Sequence, residues 1–265
     1  MKDGNVYWSK QALDEDTTTA DILAIGDSWF WYPFPGGSLI THVGRLVAPQ
    51  GHNILVEGNH GAEAYDYVKG KYKRQVREML RLFGSTASAL FISGGGNDFA
   101  GFNDLRPLLN DDCTGASSAA QCFRAGESEG SAEWLMERIF ENYATLISRA
   151  FFVLPPHAKV FVHCYDYAVP DGRGVFGGAG WLKPALVNAR VPPTLHQACV
   201  VQLIDHFASV LQQLVASGHG RIVMVDSRGT LGVGDWADEI HPRPAGFRKL
   251  AQQCWQPVLA QAGLA

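Results

Sequence analysis

Four short blocks of this chain hold the residue types that acyl transfer needs. In chain order they are Gly26-Asp27-Ser28-Trp29, Gly58-Asn59-His60-Gly61, Gly94-Gly95-Gly96-Asn97-Asp98 and Asp238-Glu239-Ile240-His241-Pro242. A serine hydroxyl is a weak nucleophile until a base takes its proton. A histidine serves as that base when a carboxylate fixes its tautomer and steadies the imidazolium. Asp238 and His241 stand three positions apart, so a single turn can bring both side chains together. Negative charge developing on an oxygen needs hydrogen-bond donors aimed at it. The backbone N–H of Gly61 can approach closely, and the Asn97 amide offers a donor of another kind. Ser28, Asp238 and His241 are thus candidate reacting residues, with Ser28, Gly61 and Asn97 as candidate oxyanion donors.

The surrounding pattern says how such blocks can meet. Apolar runs at 21–26, 53–56, 88–93, 159–164 and 221–225 read as strands. Helical periodicity marks 38–48, 64–83, 131–153, 193–217 and 244–262, with Ser131 placed to cap the third of these. Strands that are apolar throughout and alternate with helices predict a mostly parallel sheet covered on both faces. In such a sheet, ligands bind at the carboxyl ends of the strands. The four blocks fall at those ends. Two stretches break the rhythm: 99–130, rich in Gly, Ser and Asp, and 167–193, with Gly and Pro among Phe176, Trp181 and Leu182. Long irregular segments in a compact domain are usually functional, so both are expected to overhang the site within one domain spanning 1–265.

Each block alone is a common turn pattern. Together and in order, they resemble the blocks of the SGNH (GDSL-like) serine hydrolase family of esterases and lipases. Gly26–Trp29 reads GDSW against the family's GDS(L). Gly95–Asp98 matches GxND, and Asp238–Pro242 matches DxxHP. Gly58–Gly61 resembles the glycine block, with Val56 where many members have Asn. Trp29 is a second, mild departure. The resemblance implies an α/β class fold: a three-layer α/β/α sandwich, flavodoxin-like, with a five-stranded mostly parallel sheet. It implies Ser28 as nucleophile, His241 as general base oriented by Asp238, and an oxyanion hole from Ser28, Gly61 and Asn97. No metal or organic cofactor is expected. The implied substrate is a small-molecule, lipid or glycan carboxylic ester. The same triad also suits a carbohydrate O-acetyl esterase, a thioesterase or a lysophospholipase. A carbohydrate- or lipid-binding module without turnover is the alternative from another class.

Other signals carry less. Gly126-Glu127-Ser128-Glu129-Gly130 fits the nucleophile-elbow pattern, but no convincing strand precedes it, and Ser128 reads as a loop residue. Gly58-Asn59-His60 resembles part of a metallophosphoesterase signature without its upstream Asp-x-His pair. His60 therefore reads as a site-wall or turn residue. Trp29, Phe30, Trp31, Tyr32 and Phe34 either pack the core or wall an apolar substrate pocket. Tyr165 and Asp166, after the fourth strand, can line that pocket or hold the second loop. Asp27 and Asp98 are expected to brace their own turns.

Bulk properties set the outer bounds. The chain has 265 residues, 22 Lys+Arg against 26 Asp+Glu, and a formal charge of −4. That balance gives no basic footprint for nucleic acid. No apolar run is expected to approach the length needed to cross a bilayer as a transmembrane segment. The first residues lack the basic start and apolar centre of a secretory signal, so a cytoplasmic location is expected, with signal-independent export or a trimmed signal as alternatives. Of the five cysteines, Cys113 and Cys122 either close a short disulfide loop or remain free thiols. The oligomeric state is open.

Overall fold

The computed structural model describes residues 1–31 and 36–265. Two short strands, β1 (Lys2–Asp3) and β2 (Val6–Tyr7), open the chain. The five apolar runs form β3 (Ile22–Gly26), β4 (Ile54–Gly58), β5 (Ala89–Ser93), β6 (Lys159–Cys164) and β7 (Ile222–Asp226). The sheet has seven strands in the order β1-β2-β4-β3-β5-β6-β7, which corrects the expected five. The five long strands are parallel, β2 joins β4 in parallel, and β1 is antiparallel to β2. Two-residue strands carry no period to read. They exist because Val6 and Tyr7 pair with Ile54 and Leu55, and because Asn5 donates to Gly44 O at 2.9 Å and His52 O at 2.7 Å.

Among the five long strands, the order is second, first, third, fourth, fifth, the flavodoxin-like arrangement. Its reversal point lies between β3 and its neighbours β4 and β5, where the first three polar blocks emerge. All residues of β3 and β5 are buried, as expected for strands covered on both faces.

The helices are α1 (Lys10–Glu15), α2 (Leu39–Val47), α3 (Ala64–Val68), α4 (Lys73–Phe83), α5 (Phe102–Leu105), α6 (Ala132–Val153), α7 (Lys183–Asn188), α8 (His196–Ser217), α9 (Pro244–Leu250) and α10 (Gln256–Gln261). Ser131 caps α6 as its position predicts, its hydroxyl accepting from Trp134 N at 3.1 Å. The expected helix over 64–83 is instead two. Asp66 takes backbone N–H groups of both Glu63 and Lys71, and Gly70 lies in the break. An Asp side chain offers the backbone an alternative to continuing the helix.

The closing segment keeps its helical path, but a π-helical turn at Ala251–Trp255 separates α9 from α10. That turn carries the Trp255 ring into the core, 6.0 Å from Phe30, 5.2 Å from Phe91 and 5.6 Å from His163. One correction concerns Pro193–Ser217, which is long and apolar enough to cross a membrane by length and composition. Here Cys199, Leu203, Phe207, Leu211 and Leu214 of α8 are buried, and the helix packs on α6 and β7. Its apolar character is that of a core helix.

All five cysteines are free thiols. Cys113 Sγ donates to Cys122 O at 3.5 Å, and burial pushes its thiol up to about 11. The 113–122 pair is therefore held by thiol-to-carbonyl contacts.

Candidate active site

The nucleophile turn comes directly after β3. Gly26 is needed there because a Cβ would lie 2.6 Å from the Phe30 ring and 2.8 Å from Ser93 O. Asp27 N donates to Ser93 O at 2.9 Å, and the Asp27 carboxylate accepts from Trp29 N at 2.9 Å. These bonds shape the turn so that Ser28, 5% exposed, faces the carboxyl edge of the sheet.

The Asp238–His241 turn comes to the same place from the other end of the chain. Asp238 Oδ1 accepts from Ile240 N at 3.0 Å and His241 N at 2.8 Å. This local ring fixes both side chains before any partner arrives. His241 Nδ1 lies 3.0 and 3.1 Å from the two Asp238 oxygens, and His241 Nε2 lies 2.9 Å from Ser28 Oγ. A carboxylate accepts only, so the ring proton sits on Nδ1 and Nε2 presents its lone pair to the serine hydroxyl. The geometry thus joins residues 28, 238 and 241 in one hydrogen-bonded line, of which the three-residue spacing anticipates the Asp238–His241 part.

The donor side is built by β4 and β5. Asn59 N donates to Gly26 O at 2.9 Å, drawing the glycine block against the nucleophile turn. Asn97 Nδ2 donates to Ala62 O at 3.1 Å, next to Gly61. It also makes a long 3.4 Å contact with Asp27 Oδ2. The longer contact is the weaker one. Among the described residues, the Ser28 and Gly61 N–H groups donate to no protein acceptor.

Behind the turn, Asp27 is enclosed. Burial lifts its carboxyl to about 6, against the Tyr165 hydroxyl that donates to Oδ2 at 2.6 Å. Tyr165 in turn accepts from Gly96 N at 3.2 Å, linking the first and third blocks. Asp98 accepts from Ala64 N at 2.8 Å, and burial lifts it to about 8. Asp27 braces its own turn as expected, whereas Asp98 reaches across to the start of α3. Beneath them His163 bridges Ser93 Oγ at 2.9 Å and Ser227 Oγ at 2.8 Å. Burial pushes it down to about 3, so the ring is neutral.

A cleft opens beside Ser28, enclosing about 520 Å³ including its mouth. Asp27, Ser28, Gly96 and Asn97 form its polar end. Phe99, Ala100, Ala168, Leu182, Val200, Leu203, Ile204 and Ile240 form the apolar remainder, with Trp29, Tyr165 and Asp166. The expected pocket residues divide accordingly. Trp29, Tyr165 and Asp166 line the cleft. Phe30 does not: it is fully buried in the core against Trp255. Trp31 and His60 pack edge to face at 4.7 Å and are absent from the cleft wall. Tyr32 and Phe34 lie outside the described residues. Ser128 is exposed in a turn that precedes α6. Trp29 belongs mostly to the core, its ring 5.0 Å from Tyr165 and 5.6 Å from Phe247.

Sequence reasoning missed the main wall. Val200, Leu203 and Ile204 have the i, i+3, i+4 spacing of any core-facing helix stripe. Only the position of α8 above the carboxyl edge distinguishes them. Among the described residues, no cluster of His, Cys, Asp and Glu has the arrangement of a metal site.

No protein-family model and no curated protein matches the sequence. Solved structures do match over nearly the whole chain. An extracellular lipase from Streptomyces rimosus shares 16% identity with a TM-score of 0.54, covering 92% of this chain and 100% of its own. A phospholipase A1 from Streptomyces albidoflavus matches with the same values. A protein assigned as a GDSL-like lipase from Parabacteroides merdae shares 15% identity with a TM-score of 0.52, covering 93% of this chain and 98% of its own. With its central parallel strands in the flavodoxin-like order and its polar blocks at their carboxyl ends, the chain has the fold of the GDSL-type (SGNH) hydrolases.

Proposed function

We propose that the protein is a serine hydrolase that cleaves carboxylic esters bearing an apolar acyl chain. One observation carries the reading: Ser28 Oγ lies 2.9 Å from His241 Nε2 while Asp238 holds Nδ1. Ser28 attacks the ester carbonyl as His241 takes its proton, and Asp238 stabilises the resulting imidazolium. The tetrahedral oxyanion is held by the Ser28 and Gly61 N–H groups and the Asn97 amide. The C–O bond to the alcohol then breaks, and His241 returns its proton to that leaving oxygen. Water, deprotonated by His241, attacks the acyl-serine and releases the acid and free Ser28.

The apolar cleft supports an aliphatic acyl group over the acetyl group of a carbohydrate. A sugar needs paired polar groups, and eight of the wall residues (Phe99, Ala100, Ala168, Leu182, Val200, Leu203, Ile204, Ile240) have wholly apolar side chains. A thioester would use the same residues. Turnover of p-nitrophenyl esters from acetyl to octanoyl tests the reading. Ser28→Ala is expected to lower kcat by roughly 10³-fold or more. A serine-directed phosphonate should label wild type at Ser28 and leave the variant unlabelled. Inertness of wild type toward every ester and toward the phosphonate would reject the hydrolase reading.

A further inference from the structure

We infer that Glu239 is a positioning residue that holds the 171–183 hairpin over the cleft and thereby sets the acyl-length preference. The kinetic half rests on the ester-hydrolase reading; the positional half rests on geometry alone. Glu239 lies between the reacting residues of its own turn but points away from them. Its side chain is fully buried. Oε1 accepts from Gly172 N at 2.7 Å and Lys183 N at 3.1 Å, and Oε2 accepts from Leu182 N at 2.6 Å. Its own N–H donates to Arg173 O at 3.0 Å. One carboxylate therefore collects backbone donors from both ends of the hairpin.

The hairpin has little else to hold it. Its internal backbone bonds are Gly174 N to Gly178 O at 2.9 Å, Gly178 N to Val175 O at 3.0 Å and Gly180 N to Gly172 O at 3.0 Å, and Asp171 adds bonds from Arg173 N at 2.9 Å and, through its carbonyl, from Lys183 Nζ at 3.1 Å. Between 171 and 181 only Gly174 is buried. Yet the two residues at its far end, Trp181 and Leu182, belong to the site. The Trp181 ring meets the His241 ring edge-on at 5.4 Å, and Leu182 forms part of the cleft wall. Ile240, the next residue after Glu239, forms another part. Glu239 thus fixes the hairpin where it meets both the base and the wall.

Two substitutions disturb this arrangement by different routes. Glu239→Gln keeps the shape but turns an N–H₂ toward at least one backbone N–H, since both oxygens now accept. Gly180→Ala leaves the carboxylate in place chemically and displaces it, because a Cβ there would lie 2.3 Å from Glu239 Oε2. In both full-length variants, kcat/KM for the octanoyl ester should fall about tenfold more than for the acetyl ester, since displaced wall residues penalise the longer chain. Hydrogen exchange at Gly172, Leu182 and Lys183 should accelerate in both. Equal losses at every acyl length, or faster exchange with an unaltered length profile, would overturn the proposal. If Glu239→Gln fails to fold, Gly180→Ala carries the test. Phosphonate labelling of wild-type Ser28 reports separately on the hydrolase reading.

Discussion

The two irregular segments differ in how they are held. The first, 99–130, is anchored by its own apolar side chains, which join the main core. Leu105, Leu108, Leu109, Cys113, Cys122 and Phe123 are all buried. Leu109 and Phe123 form an antiparallel bridge, and the Asn110 amide donates to Gln121 O at 2.9 Å and Phe123 O at 3.2 Å. Only its root, Phe99 and Ala100, reaches the cleft. The second, 167–193, buries no side chain larger than Ala168 and Pro170 in its first half. It is ordered by carboxylates outside it. Glu239 holds the hairpin, and Asp166 accepts from Tyr167 N at 2.7 Å and ties that root to the loop after β7 through Gly229 N and Leu231 N, each at 2.5 Å. A loop with apolar groups to bury anchors itself in the core, while one without them must borrow polar partners from the scaffold. The borrowed partners sit beside the reacting residues, so order in the second loop and geometry of the site are one property.

This contrast can be broken or sharpened by substitution. The largest effect is expected from Asp166→Ala, which orphans three backbone N–H groups. At about 1–3 kcal/mol for each unsatisfied donor that stays buried, a loss of roughly 3 kcal/mol or more is expected in urea unfolding. A smaller loss would mean that the root of the second loop and the loop after β7 have supports beyond Asp166. Next comes Asn110→Ala, which removes two amide bonds inside the first loop. About 1–2 kcal/mol should be lost, with the acyl-length profile of wild type retained. A changed profile would show that the first loop, too, shapes the cleft.

The third effect is a pH dependence at the loop roots. Asp98 and Asp166 are both raised by burial, but Asp98 has a single backbone donor and reaches about 8. A carboxyl raised in the fold binds its proton more tightly there than in the unfolded chain. Its stabilising effect is complete below about 4 and is lost as pH rises through about 8. Asp98→Asn keeps an acceptor for Ala64 N and has no proton to lose. Its Tm relative to wild type should therefore rise by a few degrees between pH 6 and pH 9. A flat difference across that range would place Asp98 among ordinary ionised carboxylates.

Much of this arrangement was legible in the sequence. The five long strands announce themselves as apolar runs, and their alternation with helices gives the parallel sheet. Ser28, Asn97, Asp238 and His241 stand in short blocks whose spacing requires no knowledge of the fold. The rest depends on tertiary context. β1 and β2 are too short to have a pattern. Asp66 and Gly70 break a helix whose periodicity runs on. Phe30 and Trp29 are neighbours in an aromatic run, yet only Trp29 reaches the cleft, because the turn sends the two rings in different directions. Val200, Leu203 and Ile204 look like any core stripe. The roles of Asp166 and Glu239 were the least visible, since their partners are backbone N–H groups whose positions no side-chain code records.

Trp29 has one further consequence. Its indole Nε1–H donates to Ile240 O at 2.9 Å, across 211 positions of sequence. The bond runs from the residue after Ser28 to the residue before His241, and so acts as a strut parallel to the serine–histidine contact. A leucine at this position would leave every reacting atom in the chain and remove the strut. The spacing between nucleophile and base would then rest on their own hydrogen bond, the very bond that must break and re-form in each turnover.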